Sequence, residues 1–417
     1  MLFRRCCSGS SSRRAAAAPP SPSLPPSLPL SPPTQRSGIR CFATFRHNIC
    51  TNDWIAFPGV ERRKRPQQMR PEVGMDKSKI PQWSANCPFC KGNEGQLPAK
   101  LLTLRASDHD PTCAPKDDFE LYVLPNKFPV VAPSNCIADE SLQYPFAASI
   151  MSMECNELVD CLNTARARGK LLLEATGFHE VVVDHPSHNL PIGHTTPVYW
   201  EMLFKAFRDR GLLLTTSPLI QSLLCFKNVG MFGGASMVHP HSQIIGLPIV
   251  PNQQLKLTDT AREYFQTNGR CLFCDYIKLE LKEEVRIVEL DSQFIAVVPF
   301  AAHIPYQILL LPLRHNYQFL SIDDDTLRAL GRILHRVFQR INRALGDVDY
   351  NLVLRTAHLH RTRNQVYNPS CYYHWHVEIF PRLDSWPVAG FEFGSGIMCN
   401  AHMPEDDAKK LIEAGCD

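Results

Sequence analysis

The segment from Gly233 to Pro248 reads GGASMVHPHSQIIGLP and carries two histidines separated by one proline. An imidazole can hold a metal ion, exchange a proton or attack an electrophile, so His239 and His241 could each do chemistry. The preceding residues, FKNVGMFGGAS, are rich in glycine, which lets backbone amides approach a phosphate closely. A glycine-rich loop followed directly by two histidines indicates a phosphate site with a nucleophile or a metal ligand beside it.

Two CxxC pairs, CPFC and CLFC, lie far apart in the chain and predict two metal sites. Zinc commonly takes four Cys and His ligands in a tetrahedron, and CxxC pairs with distant histidines are typical of zinc in a reducing compartment. Disulfides in a secreted protein are the alternative for a chain with 16 cysteines, but no secretory signal peptide is recognisable. The cysteine pattern therefore favours metal.

The other ligands are predicted from the histidines of each half. The first set is Cys87, Cys90, His188 and His239. The second set is Cys271, Cys274, His315 and His374, with His303 as the competitor of His315. Both sites are closed by protein ligands, so we expect two structural zinc ions rather than a Lewis acid.

This assignment leaves His241 for chemistry. Residues two apart on a strand share one face, so His239 can bind metal while His241 and Gln243 point to the same side. A neutral imidazole attacks phosphorus and leaves readily afterwards. Gln243 is placed to donate a hydrogen bond to a phosphoryl oxygen. His376 is the counterpart of His241 in the second half, and we interpret it as a relic, a supporting group or a core histidine.

The elements that must position these residues repeat along the chain. Each half runs CxxC, strands, a helix, then a strand with His-X-His, which indicates an internal duplication. We expect two α+β halves with mainly antiparallel sheets, divided between Val250 and Gly269. Strands are predicted at FELYVLP, HEVVVDHP, SLLCFKNVG, QIIGLPIV, VRIVEL, FIAVVPF, QILLLPL and YYHWHVEIFP, and helices over residues 149–176, 198–216 and 324–345.

The N-terminal segment differs in composition from the rest. Before Asp53, the first acidic residue, the chain is rich in Arg, Ser, Ala and Pro. This composition is typical of an organelle transit peptide, so we predict residues 1–45 to target a plastid or a mitochondrion. A proline-rich disordered tail is the alternative, which would leave the protein cytoplasmic.

The remaining composition predicts a globular protein with two domains, 46–255 and 256–417. A hydrophobic fraction of 44% is enough for a buried core. The net charge of +3 gives no electrostatic signature of nucleic-acid binding. No apolar run reaches the roughly 18 residues that a membrane span requires. We therefore expect neither a nucleic acid nor a membrane as partner.

From about Arg46 onwards, the sequence resembles the galactose-1-phosphate uridylyltransferase family of the histidine-triad superfamily, including its ADP-sugar phosphorylase branch. FKNVGMFGGASMVHPHSQ resembles the signature loop and nucleophile strand of that family. NDWIAFPGVERRKRP resembles its opening nucleotide-binding segment, PNKFP a nucleotide-contacting turn, and VAGFEFGSG its sugar-binding turn. The implied fold is two histidine-triad-like halves, each a half-barrel of mainly antiparallel strands with flanking helices.

The resemblance implies a catalytic role for His241, assisted by Gln243. His241 would attack the α-phosphorus of a nucleotide sugar and form a nucleotidyl-histidine, and a second sugar 1-phosphate would then take the nucleotidyl group. Members of the family often dimerise, so a homodimer is compatible with the resemblance. The implied substrate-binding residues are Arg62, Arg65, Asn126, Lys127, Asn228, Gly234, Ser236, Phe391 and Glu392.

Three functions remain open. The first is exchange of UMP between UDP-glucose and galactose 1-phosphate, in galactose metabolism. The second uses the same histidine with an adenine nucleotide and inorganic phosphate, as in the ADP-sugar phosphorylase branch. The third is a zinc-stabilised nucleotide-binding protein without catalysis; the intact HPHSQ motif counts against it, because binding alone needs no nucleophile.

Overall fold

The computed structural model describes residues 44–48, 53–57, 77–110, 112, 118–132, 172–359, 368–383 and 389–415. Residues 1–43, which hold nearly all of the predicted transit segment, lie outside these ranges, as do Arg62 and Arg65. Most of the predicted helix over 149–176 also lies outside them. Its described end, Leu172–Glu174, is a strand, so the helix prediction is wrong there. None of the described helices is long and apolar enough to cross a membrane.

The described strands form two antiparallel sheets. A small sheet has the order β2-β1-β5, and a ten-stranded sheet has the order β3-β4-β6-β8-β7-β12-β13-β11-β10-β9. The strands are β1 (Thr44–Asn48), β2 (Asp53–Phe57), β3 (Leu102–Arg105), β4 (Glu120–Pro125), β5 (Leu172–Glu174), β6 (Phe178–Val183), β7 (Ser222–Val229), β8 (His241–Leu247), β9 (Ile287–Leu290), β10 (Phe294–Val297), β11 (Ile308–Pro312), β12 (Asp349–Arg355) and β13 (His376–Arg382).

The large sheet is built from two halves of the same order. β3, β4, β6, β8 and β7 come from the first half of the chain, and β9, β10, β11, β13 and β12 repeat that order from the second. The halves join where β7 pairs with β12 and Asn228 stands opposite Asn351. The predicted α+β class with antiparallel pairing is confirmed, and the two halves share one continuous sheet.

The long helices begin and end at capping residues. α2 starts at Pro197 after Thr196, whose hydroxyl accepts the N–H of Tyr199 at 3.1 Å. α5 matches the predicted range 324–345, and Asp323 caps its start. The helices are α1 (Ala106–His109), α2 (Pro197–Leu214), α3 (Asn252–Asn268), α4 (Leu272–Glu283), α5 (Asp324–Leu345), α6 (Gly390–Ser395) and α7 (Pro404–Glu413).

The predicted boundary between the halves falls in the segment from Val250 to Gly269. This segment forms helix α3, whose Ala261 is fully buried in a cluster that includes Cys271 and Phe273 of the second half. Apolar side chains at Leu257 and Phe265 pack against the same cluster, at the spacing of one helix face. The segment therefore belongs to the core of the second half.

The helix pair α2 and α5 covers one face of the sheet. Trp200 and Phe338 stack across the pair with ring centroids 4.4 Å apart. Strand alternation sends every second side chain to this core and the others to the opposite face. In β4, Leu121 and Val123 pack on the helix side, and Tyr122 and Leu124 join the cluster around the first CxxC pair. The face opposite the helix pair therefore carries the CxxC turns.

Candidate active site

The first cysteine pair and two histidines converge on that opposite face. The ligand atoms of Cys87, Cys90, His188 and His239 lie within 4.8 Å of one another, and all four residues are buried. Cys90 Sγ is 3.4 Å from His188 Nδ1 and 3.6 Å from His239 Nδ1. A tetrahedron with zinc–sulfur and zinc–nitrogen bonds of about 2.3 and 2.0 Å has an S–N edge of about 3.5 Å, so the donor set fits zinc.

Hydrogen bonds from neighbouring backbone orient this cluster. His239 Nε2 donates to the carbonyl of His185 at 2.8 Å, which leaves Nδ1 unprotonated for a metal ion. Burial lowers the pKa of His239 to about 3, so the ring is neutral, as a ligand must be. Asn93 Nδ2 donates to the carbonyls of Ser84 and Cys87 at 3.0 and 2.8 Å and holds the cysteine turn.

The second cluster repeats this arrangement. Cys271, Cys274, His315 and His374 also place their ligand atoms within 4.8 Å of one another. His315 Nε2 donates to Ser370 O at 2.8 Å, and His374 Nε2 donates to Pro312 O at 2.9 Å, so each Nδ1 faces the sulfurs. His303, the predicted competitor of His315, is not in this group. Four protein donors close each cluster, as in a structural site.

His241 is the first residue of β8, and its ring has one defined tautomer. His239 precedes the strand by two residues, so the prediction that both lie on the strand is wrong for His239. His241 Nδ1 is 2.9 Å from the carbonyl of His239. A carbonyl only accepts hydrogen bonds, so Nδ1 carries a proton, and in the neutral ring Nε2 carries the lone pair. The carbonyl of His239, a residue of the Cys/His cluster, thereby fixes which ring nitrogen of His241 carries the proton.

His241 lies on the wall of a cavity of about 520 Å³. The structure brings five predicted residues together there. Apolar side chains, including Pro88, Phe89 and Phe128, line much of the remaining wall, together with other polar residues. This mixture suits a ligand with a flat apolar part and an anionic part. The five predicted residues are Asn126, Lys127, Ser236, His241 and Gln243.

Other predicted substrate-binding residues lie elsewhere. Asn228 lines a second cavity, and its Oδ1 accepts from Asn351 Nδ2 at 2.8 Å. Gly234 adopts φ 73° in the glycine loop. Phe391 and Glu392 lie on α6 and are not among the residues that line the His241 cavity. Glu392 accepts the N–H of Ala389 at 3.0 Å and so caps its own helix.

The glycine loop is held by residues of the second half that the sequence analysis missed. Asp349 on β12 accepts the N–H of Phe232 at 2.8 Å and pairs with Lys77 Nζ at 2.7 Å. Asn351 Nδ2 donates to the carbonyl of Gly233 at 2.6 Å. Gly230 has φ 74°, and a Cβ there would overlap the Asp349 carboxylate, so glycine is required.

A buried carboxylate, also missed, supports the His-Pro-His turn from beneath. The Asp184 N–H donates to the carbonyl of Pro240 at 3.1 Å. Asp184 Oδ2 accepts from Lys227 Nζ at 2.6 Å and from Ser242 Oγ at 2.9 Å. Asp184 and Lys227 are 0% and 2% exposed, so the charges stabilise each other away from water. Strand alternation, which turns Lys227 inward, is the sequence signal for this pair.

Comparison with known proteins agrees with this architecture. A family model described as galactose-1-phosphate uridyl transferase, C-terminal domain, matches residues 257–413. The corresponding N-terminal domain model matches residues 164–251. These matches place the chain in a class of nucleotidyltransferases. The chain belongs to the galactose-1-phosphate uridylyltransferase family, which confirms the resemblance.

Individual relatives cover most of the chain. ADP-glucose phosphorylase of Arabidopsis thaliana is 30% identical over 368 residues, which are 88% of this chain and 92% of that protein. Galactose-1-phosphate uridylyltransferase of Thermotoga maritima is 27% identical over 245 residues, 58% of this chain and 75% of that protein. The crystal structure of ADP-glucose phosphorylase from Arabidopsis thaliana with bound ADP-glucose matches with TM-score 0.59 and 29% identity, over 88% of this chain and 98% of that chain.

Proposed function

We propose that this chain transfers a nucleotidyl group from a nucleoside-diphosphate hexose through a covalent intermediate on His241. The observation that carries the proposal is the tautomer of His241. Its Nδ1 proton points at the His239 carbonyl, 2.9 Å away, and its ring lines the cavity. In the neutral ring Nε2 therefore holds the lone pair, which is what a nucleophile towards phosphorus needs.

The reaction consists of two displacements at the same phosphorus. Nε2 attacks the α-phosphorus, a P–N bond forms, and the P–O bond to hexose 1-phosphate breaks with its electron pair on the leaving oxygen. A phosphate oxygen of the acceptor then attacks that phosphorus, the P–N bond breaks, and the imidazole recovers its lone pair. The His239 carbonyl stabilises the positive charge that the ring carries between these steps, because it accepts the Nδ1 proton.

Neighbouring groups supply the electrostatics. Gln243 and Ser236 line the cavity beside His241 and are donors for the phosphoryl oxygens. Lys127 lines the same cavity and offers a positive charge to the diphosphate. Phe89 and Phe128 offer apolar surface to the base. The cavity therefore has a donor side for phosphate and an apolar side for the nucleoside.

We further propose that both Cys/His clusters bind zinc. The distances and the protonation of the histidines fit a tetrahedral site. Bound zinc would hold His239 in place, and the His239 carbonyl orients His241. In this proposal the metal supports the fold and the turn, and the chemistry belongs to the imidazole.

For the nucleotide, the first candidate is ADP-sugar phosphorolysis, in which inorganic phosphate accepts the AMP group. It is supported by 30% identity across 88% of this chain with ADP-glucose phosphorylase. The second candidate is UMP exchange between UDP-glucose and galactose 1-phosphate. It is supported by the two family models and by the Thermotoga maritima relative. The two candidates share the nucleophile and differ in base and acceptor.

The test separates chemistry from specificity. The full-length protein is mixed with ADP-glucose or UDP-glucose alone, denatured, and its intact mass measured. We expect an AMP adduct with ADP-glucose that disappears when inorganic phosphate is added, and no adduct on His241→Ala. A UMP adduct discharged by galactose 1-phosphate would select the second candidate. Binding of both nucleotide sugars without any adduct, or an adduct on His241→Ala, would overturn the covalent proposal.

A further inference from the structure

We infer that His179 is a positioning residue that sets the orientation of the Gln243 side-chain amide, an inference that rests on the proposed function. His179 lies on β6, next to β8 in the sheet, and is 3% exposed. Its position shares strand parity with Val181 and Val183, so its ring is on the same face of the sheet as His241 and Gln243. His179 Nε2 lies 2.8 Å from Gln243 Oε1.

The tautomer of His179 follows from its other nitrogen. The backbone N–H of Val130 donates to His179 Nδ1 at 3.0 Å. A backbone amide is only a donor, so Nδ1 must be the nitrogen with the lone pair, and the neutral ring carries its proton on Nε2. Nε2 is then a donor, and Gln243 must present its oxygen to it. The hydrogen bond runs from His179 Nε2–H to Gln243 Oε1.

A third polar group also lies at this point. Asn126 Nδ2 lies 3.0 Å from the same His179 Nε2. Asn126 Oδ1 accepts the N–H of Phe128 at 2.8 Å, so its nitrogen end is fixed as a donor. Two N–H groups do not bond to each other, so this contact is a close approach only. Gln243 Oε1 is therefore the acceptor for the His179 proton.

The consequence for the site concerns the other end of the amide. Gln243 has an oxygen end that attracts donors and an NH₂ end that attracts anions. With the oxygen held by His179, the NH₂ group is turned towards the cavity that Gln243 lines beside His241. The flipped amide would present its oxygen to a phosphoryl oxygen and repel it. His179 thus selects the rotamer in which Gln243 is a donor for the transferred phosphoryl group.

His179 also has a structural contact, and the test must separate the two roles. Its Nδ1 anchors Val130, and its backbone carbonyl accepts the N–H of Asn126 at 2.8 Å. An asparagine side chain can replace the Nδ1 acceptor but not reach as far as Nε2. A glutamine can replace the Nε2 donor but not the Nδ1 acceptor. His179→Asn and His179→Gln therefore form a matched pair.

The experiment measures the single-turnover rate of adduct formation on His241, with zinc content and melting temperature as folding controls. Loss of one hydrogen bond that orients a donor predicts a rate about tenfold lower for His179→Asn. For His179→Gln we expect a rate within about threefold of the wild type. A structural role predicts the opposite ranking. The opposite ranking in folded variants would overturn the inference.

A double-mutant cycle gives a second, independent reading. In a Gln243→Ala background the amide is absent, so His179→Asn should slow adduct formation by less than about twofold. The same slowing in both backgrounds would overturn the inference while the covalent mechanism stands. If the wild type forms no adduct, the proposed function fails and the inference fails with it. Should His179→Asn not fold, a slow rate for folded His179→Gln would be the overturning result.

Discussion

The region around His241 and its counterpart around His376 share one local arrangement of strand, histidine and Cys/His cluster, but they differ in the residues around it. Each second histidine begins a strand, β8 or β13, and donates its Nδ1 proton to the carbonyl of the metal-cluster histidine before it, at 2.9 and 3.0 Å. Each ring packs near the phenylalanine of its own CxxC turn, Phe89 or Phe273. The Cys/His cluster, the CxxC turn and the protonated ring nitrogen are thus the same in both halves.

The two regions differ two residues further along the strand. Gln243 lines the cavity with its oxygen on His179, whereas Glu378 accepts from Arg355 Nε at 2.6 Å. Burial lowers the pKa of His376 to about 4, and this ring is among neither set of residues that line the described cavities. The second half also has no glycine-rich segment before its His-X-His motif.

The difference shows what the scaffold contributes. A Cys/His cluster and a histidine that donates its Nδ1 proton to the preceding cluster histidine are present in both halves. Around His241 there are in addition a cavity, a glycine loop and a neutral amide in place of a carboxylate. We therefore expect the metal clusters to determine stability, and the residues around the cavity to determine the reaction.

The comparison is tested most strongly by exchanging its two histidines for alanine. His241→Ala should lower turnover by about 10³-fold or more, because no other group forms the covalent bond. His376→Ala should keep the adduct and lose about 1–3 kcal/mol of stability, because it opens a small buried space and removes a buried hydrogen bond. Intact mass and thermal melting measure both. Loss of the adduct in a folded His376→Ala would show that the second region takes part in the chemistry.

The metal clusters are compared with Cys87→Ser and Cys271→Ser. Each variant should bind one metal equivalent less and lose at least about 4 kcal/mol of stability, because a buried cluster loses its ion. Cys87→Ser should also abolish adduct formation, since His239 holds the carbonyl that orients His241. In Cys271→Ser, the fraction that remains folded should still form the adduct.

Metal analysis by mass spectrometry, urea unfolding and the adduct assay follow the two cysteine variants. If the wild-type protein is purified in the presence of zinc and still contains no metal, the prediction is wrong. If folded Cys271→Ser loses the adduct to the same extent as Cys87→Ser, the proposal that only the first cluster supports the reaction is wrong.

Gln243 and Glu378 are the third residues of β8 and β13. They are compared by replacing each, in a separate variant, with the residue type of the other. Gln243→Glu should slow adduct formation by about 10²-fold or more, because a carboxylate faces the phosphoryl group in place of a donor. Glu378→Gln should leave the adduct rate unchanged and cost about 1 kcal/mol, because Arg355 loses a partially screened ion pair. Single-turnover kinetics decide between them. An unchanged rate in Gln243→Glu would show that the amide does not contact the phosphoryl group.

The smallest effect concerns the glycine loop, which has no counterpart in the second half. Gly230→Ala should cost about 2–3 kcal/mol, because its φ is 74° and the new methyl group meets Asp349. Gly234→Ala is the matched control. It has φ 73° with nothing within 4 Å of the new Cβ, so it should cost only about 1 kcal/mol of backbone strain. Equal melting temperatures would contradict the proposed anchoring by Asp349.

Much of this protein can be read from local patterns. The spacing of CxxC, the His-X-His motifs and strand alternation are properties of short segments, and they predicted both metal clusters' residues, helix α5 and the repeated order of elements. Capping residues and apolar periodicity act within a few residues of where they stand, which is why such features can be inferred before a fold is known.

Long-range contacts could not be inferred in this way. Asp349 and Asn351 hold a loop more than a hundred residues away only because β7 and β12 pair at the centre of the sheet. Helix α3 was not predicted, because its weak apolar stripe has meaning only against the core that it covers. The sequence by itself determined the motifs and the family, and it predicted the nucleophile. The tertiary structure decided which residues hold the glycine loop, how the Gln243 amide is oriented and which ring nitrogen of His179 carries the proton. These features depend on strand register and on hydrogen bonds between distant residues.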